Sequence, residues 1–326
     1  MNTVKIGIIG TGWIAEKMAI TLEGMEGVEA YAVASRQLQT ACDFADRWGF
    51  TRAYGSYEEM LDDEEVELAY IATPHSHHFE HARMSLLKGK AVLCEKAFTA
   101  NARQAEELLN LAKEKELFIT EAIWTRYMPL SHTINDLVTS GIIGRPMTLS
   151  ANLGYPIGNR ERLRQPALAG GALLDLGVYA LNFASMVFGT DVERVTSTCV
   201  KTDTGVDAQN SITLTFKDGK IAVLHSSMLS MTDRQGIISG DKGHLIIENI
   251  NNPQRIRVVT EDYKTAVVYN CPPQITGYEY QVYASMEALR NGWLESPYMP
   301  HAETLRIMRM MDDLRREWGV HYPADE

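Results

Sequence analysis

Three side chains in this sequence could together move a proton. Lys96 closes the run AVLCEK, and Asp175 and Tyr179 stand four residues apart in GGALLDLGVY. Residues four apart share one face of a helix. A phenol has a pKa near 10 and is a poor base at neutral pH, but a neighbouring ammonium favours its deprotonation. Tyr179 then reads as a general acid/base, Lys96 as the group that activates it and orients the reacting oxygen, and Asp175 as the residue that fixes the network. The plainer alternatives are a lysine opening a surface loop and an aspartate bonding the N–H groups of its own helix start.

A second motif says what reaction the proton accompanies. VKIGII runs directly into Gly10, Thr11, Gly12, Trp13, Ile14 and Ala15, a G-x-G-x-x-A turn between an apolar strand and a helix-compatible run. Gly10 permits the tight turn, Gly12 lets the backbone approach a pyrophosphate, and Ala15 lets helix pack on strand. The N–H groups at the helix start favour a diphosphate. At the end of the next strand an acid would bind the ribose 2′-OH of NAD(H). Ser35 and Arg36 stand there instead, a pair suited to the 2′-phosphate of NADP(H). NADP(H) is therefore the expected cofactor, with NAD(H) the alternative.

These residues need a scaffold, and the pattern of the chain supplies one. Its first third alternates strand and helix: Glu29–Ser35, Leu68–Ala72, Ala91–Cys94 and Phe118–Thr120 are short apolar strands, and Gln37–Trp48, Phe79–Lys88 and Ala102–Lys115 are amphipathic helices. Such alternation predicts a parallel sheet with helices on both faces and a ligand beyond the carboxyl ends of the strands. After Trp124 the texture changes. Ser131–Ser140 is helical, Met147–Gly154 is a strand, and Gly170–Phe188 reads as one strongly apolar helix. Seven strands from Val192 to Asn270 predict a large, mainly antiparallel open sheet. Two helices, Tyr278–Asn291 and Ala302–Trp318, follow. The expected division is 1–121, an α/β dinucleotide-binding domain, and 122–326, an α+β domain for the substrate.

With 326 residues, 45% hydrophobic and 22% charged, the chain has the composition of a soluble globular protein of two domains. A net charge of −11 without a basic run makes nucleic acid and anionic membrane poor partners. Four widely spaced cysteines fit no metal or disulfide pattern. The first strand leaves no room for a signal peptide, and no apolar stretch reads as long enough to span a bilayer; a cytoplasmic protein is expected. Trp124, Arg126 and Tyr127 offer aromatic walls and a guanidinium for a ring or polyol substrate. The triplet Arg160, Arg162, Arg164 reads as a solvated loop, one member of which could reach an anion. His77 and His81 have a spacing that zinc sites use, but no cysteine or acid supports them at metal spacing, so no metal is expected.

The segments GIIGTGWIA, ATPHSHHFEHA, VLCEKAF, EAIWTRYMP and GGALLDLGVYALNFASMVFG resemble the Gfo/Idh/MocA oxidoreductases along essentially the whole chain, and most closely their dimeric dihydrodiol dehydrogenase branch. The resemblance implies a Rossmann domain followed by a domain whose open sheet forms a homodimer or larger homo-oligomer. It implies that Thr73, His75, His78, Glu95 and Lys96 lie along the nicotinamide end of the cofactor, with His77 and His81 solvent-facing or structural. Two departures stand out: Ala97 replaces the proline of the family's E-K-P motif, and Ala169 replaces the first glycine of a triplet. The expected activity is hydride transfer at a CH–OH or CH–CH group of a sugar, a cyclic polyol or a trans-dihydrodiol. The rivals are a dinucleotide-binding regulator without turnover and an enzyme that uses a retained cofactor for non-redox glycoside chemistry.

Overall fold

Strands buried on both faces need apolar runs, and the first part of the chain provides five, with a short, more exposed strand added at the sheet edge. In the computed structural model, which describes residues 3–326, these are β1 (Val4–Ile9), β2 (Val28–Ala34), β3 (Arg52–Tyr54), β4 (Leu68–Ile71), β5 (Ala91–Glu95) and β6 (Ile119–Ala122). They form an all-parallel sheet in the order β3-β2-β1-β4-β5-β6. The helices between them are α1 (Trp13–Glu23), α2 (Leu38–Trp48), α3 (Tyr57–Asp62), α4 (His75–Leu87) and α5 (Ala102–Lys115). Side-chain caps fix two of their starts: Ser56 accepts the Glu59 N–H on α3, and Asn101 accepts the Gln104 N–H on α5. The strand order reverses between β1 and β4, the place where sheets of this kind bind ligands.

The later part of the chain contains α6 (Pro129–Thr139), β7 (Pro146–Gly154), α7 (Glu161–Arg164), α8 (Val178–Phe188), β8 (Val192–Lys201), β9 (Asp207–Phe216), β10 (Ile221–Ser227), β11 (Gly236–Gly240), β12 (Gly243–Glu248), β13 (Arg255–Thr260) and β14 (Thr265–Asn270). Its eight-stranded sheet runs β14-β13-β12-β11-β7-β10-β9-β8. Every neighbouring pair is antiparallel except β7 with β10. Burial alternates along β9, with Ala208, Asn210, Ile212, Leu214 and Phe216 buried, as a sheet covered on one face requires. The cover is α8. Phe183 is wholly buried, and a Cβ on Gly236 of β11 would lie 2.7 Å from its ring. On β8, β10 and β14, Val200, Ile221, Val223, Val267 and Val268 remain exposed.

The chain ends with α9 (Glu279–Asn291) and α10 (His301–Trp318). By internal contacts it divides into a first unit that runs to Ile123 and takes in Gln274–Arg309, and a second unit of Trp124–Pro273 with Met310–Glu326.

Two expectations need correction. Gly170–Phe188 is not one regular helix: Leu173–Gly177 forms a π-turn and α8 follows it. The stretch Pro166–Phe188 is also long and apolar enough to cross a bilayer by length and composition, but 83% of its most apolar window is buried inside the protein. It is a core segment whose hydrophobicity the sheet absorbs.

Candidate active site

All strands of the first sheet point the same way, so their carboxyl ends gather the cofactor candidates on one edge. β1 exits through Gly10, whose φ of +107° is a backbone state that L side chains rarely adopt. A Cβ there would also lie 3.1 Å from the Ala72 carbonyl oxygen. At Gly12 an added Cβ would meet nothing within 4 Å among the described residues, so this side of the turn is open. α1 starts there with no side-chain cap, which leaves its first N–H groups to an incoming acceptor. Thr11 and Ile14 are half-buried beside it, and Trp13 is 60% exposed with the Lys17 ammonium over its ring. These features fit a pyrophosphate. Ser35 follows β2, its N–H donating to Tyr54 O. Arg36 is exposed and makes no ion pair among the described residues.

The turn after β4 is held by histidines. His78 is 1% exposed; its Nδ1 lies 2.8 Å from Ala97 O and its Nε2 2.8 Å from Thr73 O. It thus stands between the β4 exit and the β5 exit. A neutral ring donates to only one of those carbonyls; burial, the largest effect, lowers the His78 pKa to about 4 against the two carbonyls, which raise it, and the Lys96 charge adds a smaller lowering. His81 is also buried. Its Nδ1 meets Thr73 Oγ1 at 3.0 Å, its ring packs edge-on against Tyr57, and its pKa falls to about 4, chiefly through burial. His75 is buried with its ring edge-to-face on His78, and His77 is half-buried against Ser76. No cluster of three or more His, Cys, Asp or Glu side chains suited to a metal occurs among the described residues.

Lys96 follows β5 on the same edge. The buried Glu95 carboxylate accepts the Tyr70 hydroxyl at 2.5 Å and the Lys96 N–H at 3.2 Å. The Lys96–Ala97 peptide is cis. Glu121 on β6 accepts the Phe98 N–H at 3.2 Å. Sequence reasoning missed Tyr70 and Glu121. The one signal was a polar residue inside a strand too apolar to have a wet face.

The second unit holds the other candidates. Trp124–Tyr127 is a 3₁₀ turn. The Trp124 indole N–H donates to Tyr179 Oη at 3.0 Å, and both side chains are buried. Tyr127 is buried too, and Arg126 Nε donates to Asn182 Oδ1 at 2.6 Å on α8. Asp175, 5% exposed in the π-turn, accepts both Arg162 Nη groups, at 3.1 and 3.2 Å. The arginine triplet is therefore not a uniformly solvated loop: Arg162 neutralises Asp175, and Arg164 pairs with Asp203. Ala169 takes a left-handed φ of 52° where a glycine would be expected.

The structure thus gathers Gly10, Thr11, Gly12, Trp13, Ile14, Ser35, Arg36, Thr73, His75, His78, Glu95 and Lys96 on one sheet edge. It joins Trp124 to Tyr179 and Arg162 to Asp175 in the other unit. The family model described as the oxidoreductase family with an NAD-binding Rossmann fold matches residues 4–122, and the Gfo/Idh/MocA C-terminal domain matches residues 131–246. This chain belongs to the Gfo/Idh/MocA family. It is an NAD(P)-dependent oxidoreductase. It is 33% identical to the trans-1,2-dihydrobenzene-1,2-diol dehydrogenase of Mus musculus, with 98% of each chain covered. The Xenopus laevis enzyme of that name is 34% identical over 98% of this chain and 99% of its own. Among solved structures, KijD10, a 3-ketoreductase from Actinomadura kijaniata in complex with NADP and TDP-benzene, superposes with a TM-score of 0.88 at 26% identity, covering 97% of this chain and 98% of its own. A levoglucosan dehydrogenase shares the fold, with a TM-score of 0.87 at 16% identity.

Proposed function

We propose that this oxidoreductase moves hydride between NADP(H) and the carbinol or carbonyl carbon of a ring substrate: a trans-dihydrodiol, a cyclic polyol or a sugar. When bound, the cofactor supplies or accepts the hydride. The chain's own residues do the rest. The open Gly12 turn and the α1 start hold the pyrophosphate, and Ser35 and Arg36 take the 2′-phosphate. Lys96 orients the reacting oxygen, and Tyr179 gives or takes its proton.

The observation that carries this reading is the hydrogen bond from Trp124 to Tyr179. An indole N–H can only donate, so the phenol oxygen accepts it and the phenolic proton is directed to a different acceptor. A buried tyrosine whose oxygen is already served by a fixed donor is oriented for proton transfer. The long match to dihydrodiol dehydrogenases supports the substrate class. The test is NADP reduction, or NADPH oxidation, against a panel of trans-dihydrodiols, sugars, cyclic polyols and their ketones. A substrate-dependent absorbance change is expected. Tight NADPH binding without turnover on any of them would favour a regulator instead.

The proposal extends to assembly. Val200, Ile221, Val223, Val267 and Val268 are exposed apolar residues on the strands of the large sheet, and a second copy is the partner we propose for it. Light scattering at micromolar concentration should give twice the chain mass of 36.5 kDa; a monomer would refute the assembly.

A further inference from the structure

The turn that launches Asp175 and Tyr179 is pinned at both ends by residues far along the chain. At its far end the Leu173 N–H donates to Asp207 Oδ2 at 2.7 Å. That N–H belongs to the first turn of a helix and has no carbonyl of its own to bond. At its near end the Tyr322 hydroxyl donates to Gly170 O at 2.5 Å. Only Gly171 and Ala172 lie between the two pinned residues.

Both pins are themselves fixed. Asp207 is wholly buried at the start of β9; Asn210 Nδ2 donates to the same Oδ2 at 2.9 Å, and Ser226 Oγ donates to Asn210 Oδ1 at 2.8 Å. The other carboxylate oxygen, Oδ1, has no hydrogen-bond partner among the described residues and faces Gly171, where a Cβ would lie 2.2 Å away. Tyr322 is 3% exposed. The Arg315 guanidinium lies 4.3 Å above its ring and pairs with Asp312 and Asp325. Burying a carboxylate is costly unless it is well bonded, and this one spends its bonded oxygen on the backbone of the turn.

We propose that Asp207 and Tyr322 are positioning residues for the reaction: they clamp the Gly170–Leu173 turn and so set where Asp175 and Tyr179 stand. Neither is assigned a contact with the reacting atoms. The inference rests on the role proposed for Tyr179. Arg315 of α10, Tyr322 of the terminal segment and Cys199 of β8 are charged or titratable groups that interact electrostatically with Asp207. Either protonation state leaves Oδ2 an acceptor, so asparagine should replace Asp207 and alanine should not.

The test combines hydrogen exchange with kinetics on the intact enzyme, using the best substrate of the panel above. Asp207→Ala and Tyr322→Phe should each speed amide exchange in the peptide spanning Gly170–Gly177. They should lower kcat by about tenfold or more while KM and NADPH affinity change less, because small misplacements at a reacting centre act on turnover. Asp207→Asn should restore both readouts. If Asp207→Ala does not fold, Tyr322→Phe, which removes one hydroxyl, still decides. Faster exchange with unchanged kcat would overturn the clamp. So would a loss of kcat that Asp207→Asn fails to rescue. Full turnover in Tyr179→Phe would instead remove the catalytic reading on which the clamp rests, so the two failures are distinguishable.

Discussion

The two units bury ionisable groups of opposite kind. In the first, His78 and His81 are bases kept neutral by burial, with Lys96 and Arg36 among the charges that reinforce it. In the second, Asp207 is an acid whose pKa burial raises to about 6, against hydrogen bonds from Asn210 and Leu173. The histidine turn lies in cationic surroundings that suit an anionic cofactor. Asp207 accepts a backbone N–H of the turn and the Asn210 side chain on one oxygen, which suits the placing of a helix. The first unit offers an open cradle and the second a closed network, and perturbing each should have different consequences.

The largest expected effects separate proton transfer from cofactor binding. Tyr179→Phe should cut kcat by at least about a hundredfold, within the usual range of general acid–base catalysis, and leave NADPH affinity nearly intact. Lys96→Met should cut kcat as deeply and also weaken NADPH, since that lysine lies on the cofactor edge. Near-normal turnover in Tyr179→Phe would break the division of labour between the units.

Arg36→Ala should act on the cradle alone. The intact protein should bind NADPH more tightly than NADH, and the variant should lose most of that preference. A charge-assisted contact contributes about 1.5–3 kcal/mol, so about tenfold or more is expected in the ratio of dissociation constants. Equal affinities in the unmodified protein would refute NADP selectivity.

The pH dependence of stability sharpens the contrast further. The histidines have folded pKa values near 4 against ordinary values of 6.5, so the unfolded state binds protons first. Their contribution is complete above pH 6.5 and is lost as pH falls towards 4. Asp207 has the reverse sign: the folded state holds its proton more tightly, and stability is lost as pH rises from about 3.8 to 6. Each group changes stability by at most about 1.4 kcal/mol per pH unit. Melting temperatures over pH 4 to 6.5 should therefore depend less steeply on pH in His81→Gln and more steeply in Asp207→Asn. Identical slopes in all three proteins would contradict the buried states described. The smallest expected effect is none: a chelator should leave activity unchanged, and loss restored by zinc would reassign the histidines.

Much of the cradle was legible because its function resides in the backbone. The glycine spacing and strand–helix alternation are local patterns, and so is the absence of an acid at Ser35-Arg36. The second unit was legible only in part. Asp175 and Tyr179 stood out by spacing, but Arg162 finds Asp175 across a loop, and Asp207 and Tyr322 reach the same turn from 34 and 152 positions away. No periodicity encodes such pairings. The π-turn was hidden for a related reason: Leu173–Gly177 is as apolar as the helix it precedes, so nothing in the pattern marks the change of winding.

The buried stretch Pro166–Phe188 has a consequence for the newborn protein. Three of the strands that neighbour its helical part, β9, β10 and β11, are encoded after it. A ribosome therefore releases one of the most apolar segments of the chain before most of its cover exists. During that interval the segment is a natural client for holding chaperones and, if synthesis stalls near β8, a seed for aggregation. Codon choice and translation speed just downstream of Phe188 would then affect the yield of folded enzyme without altering a single residue.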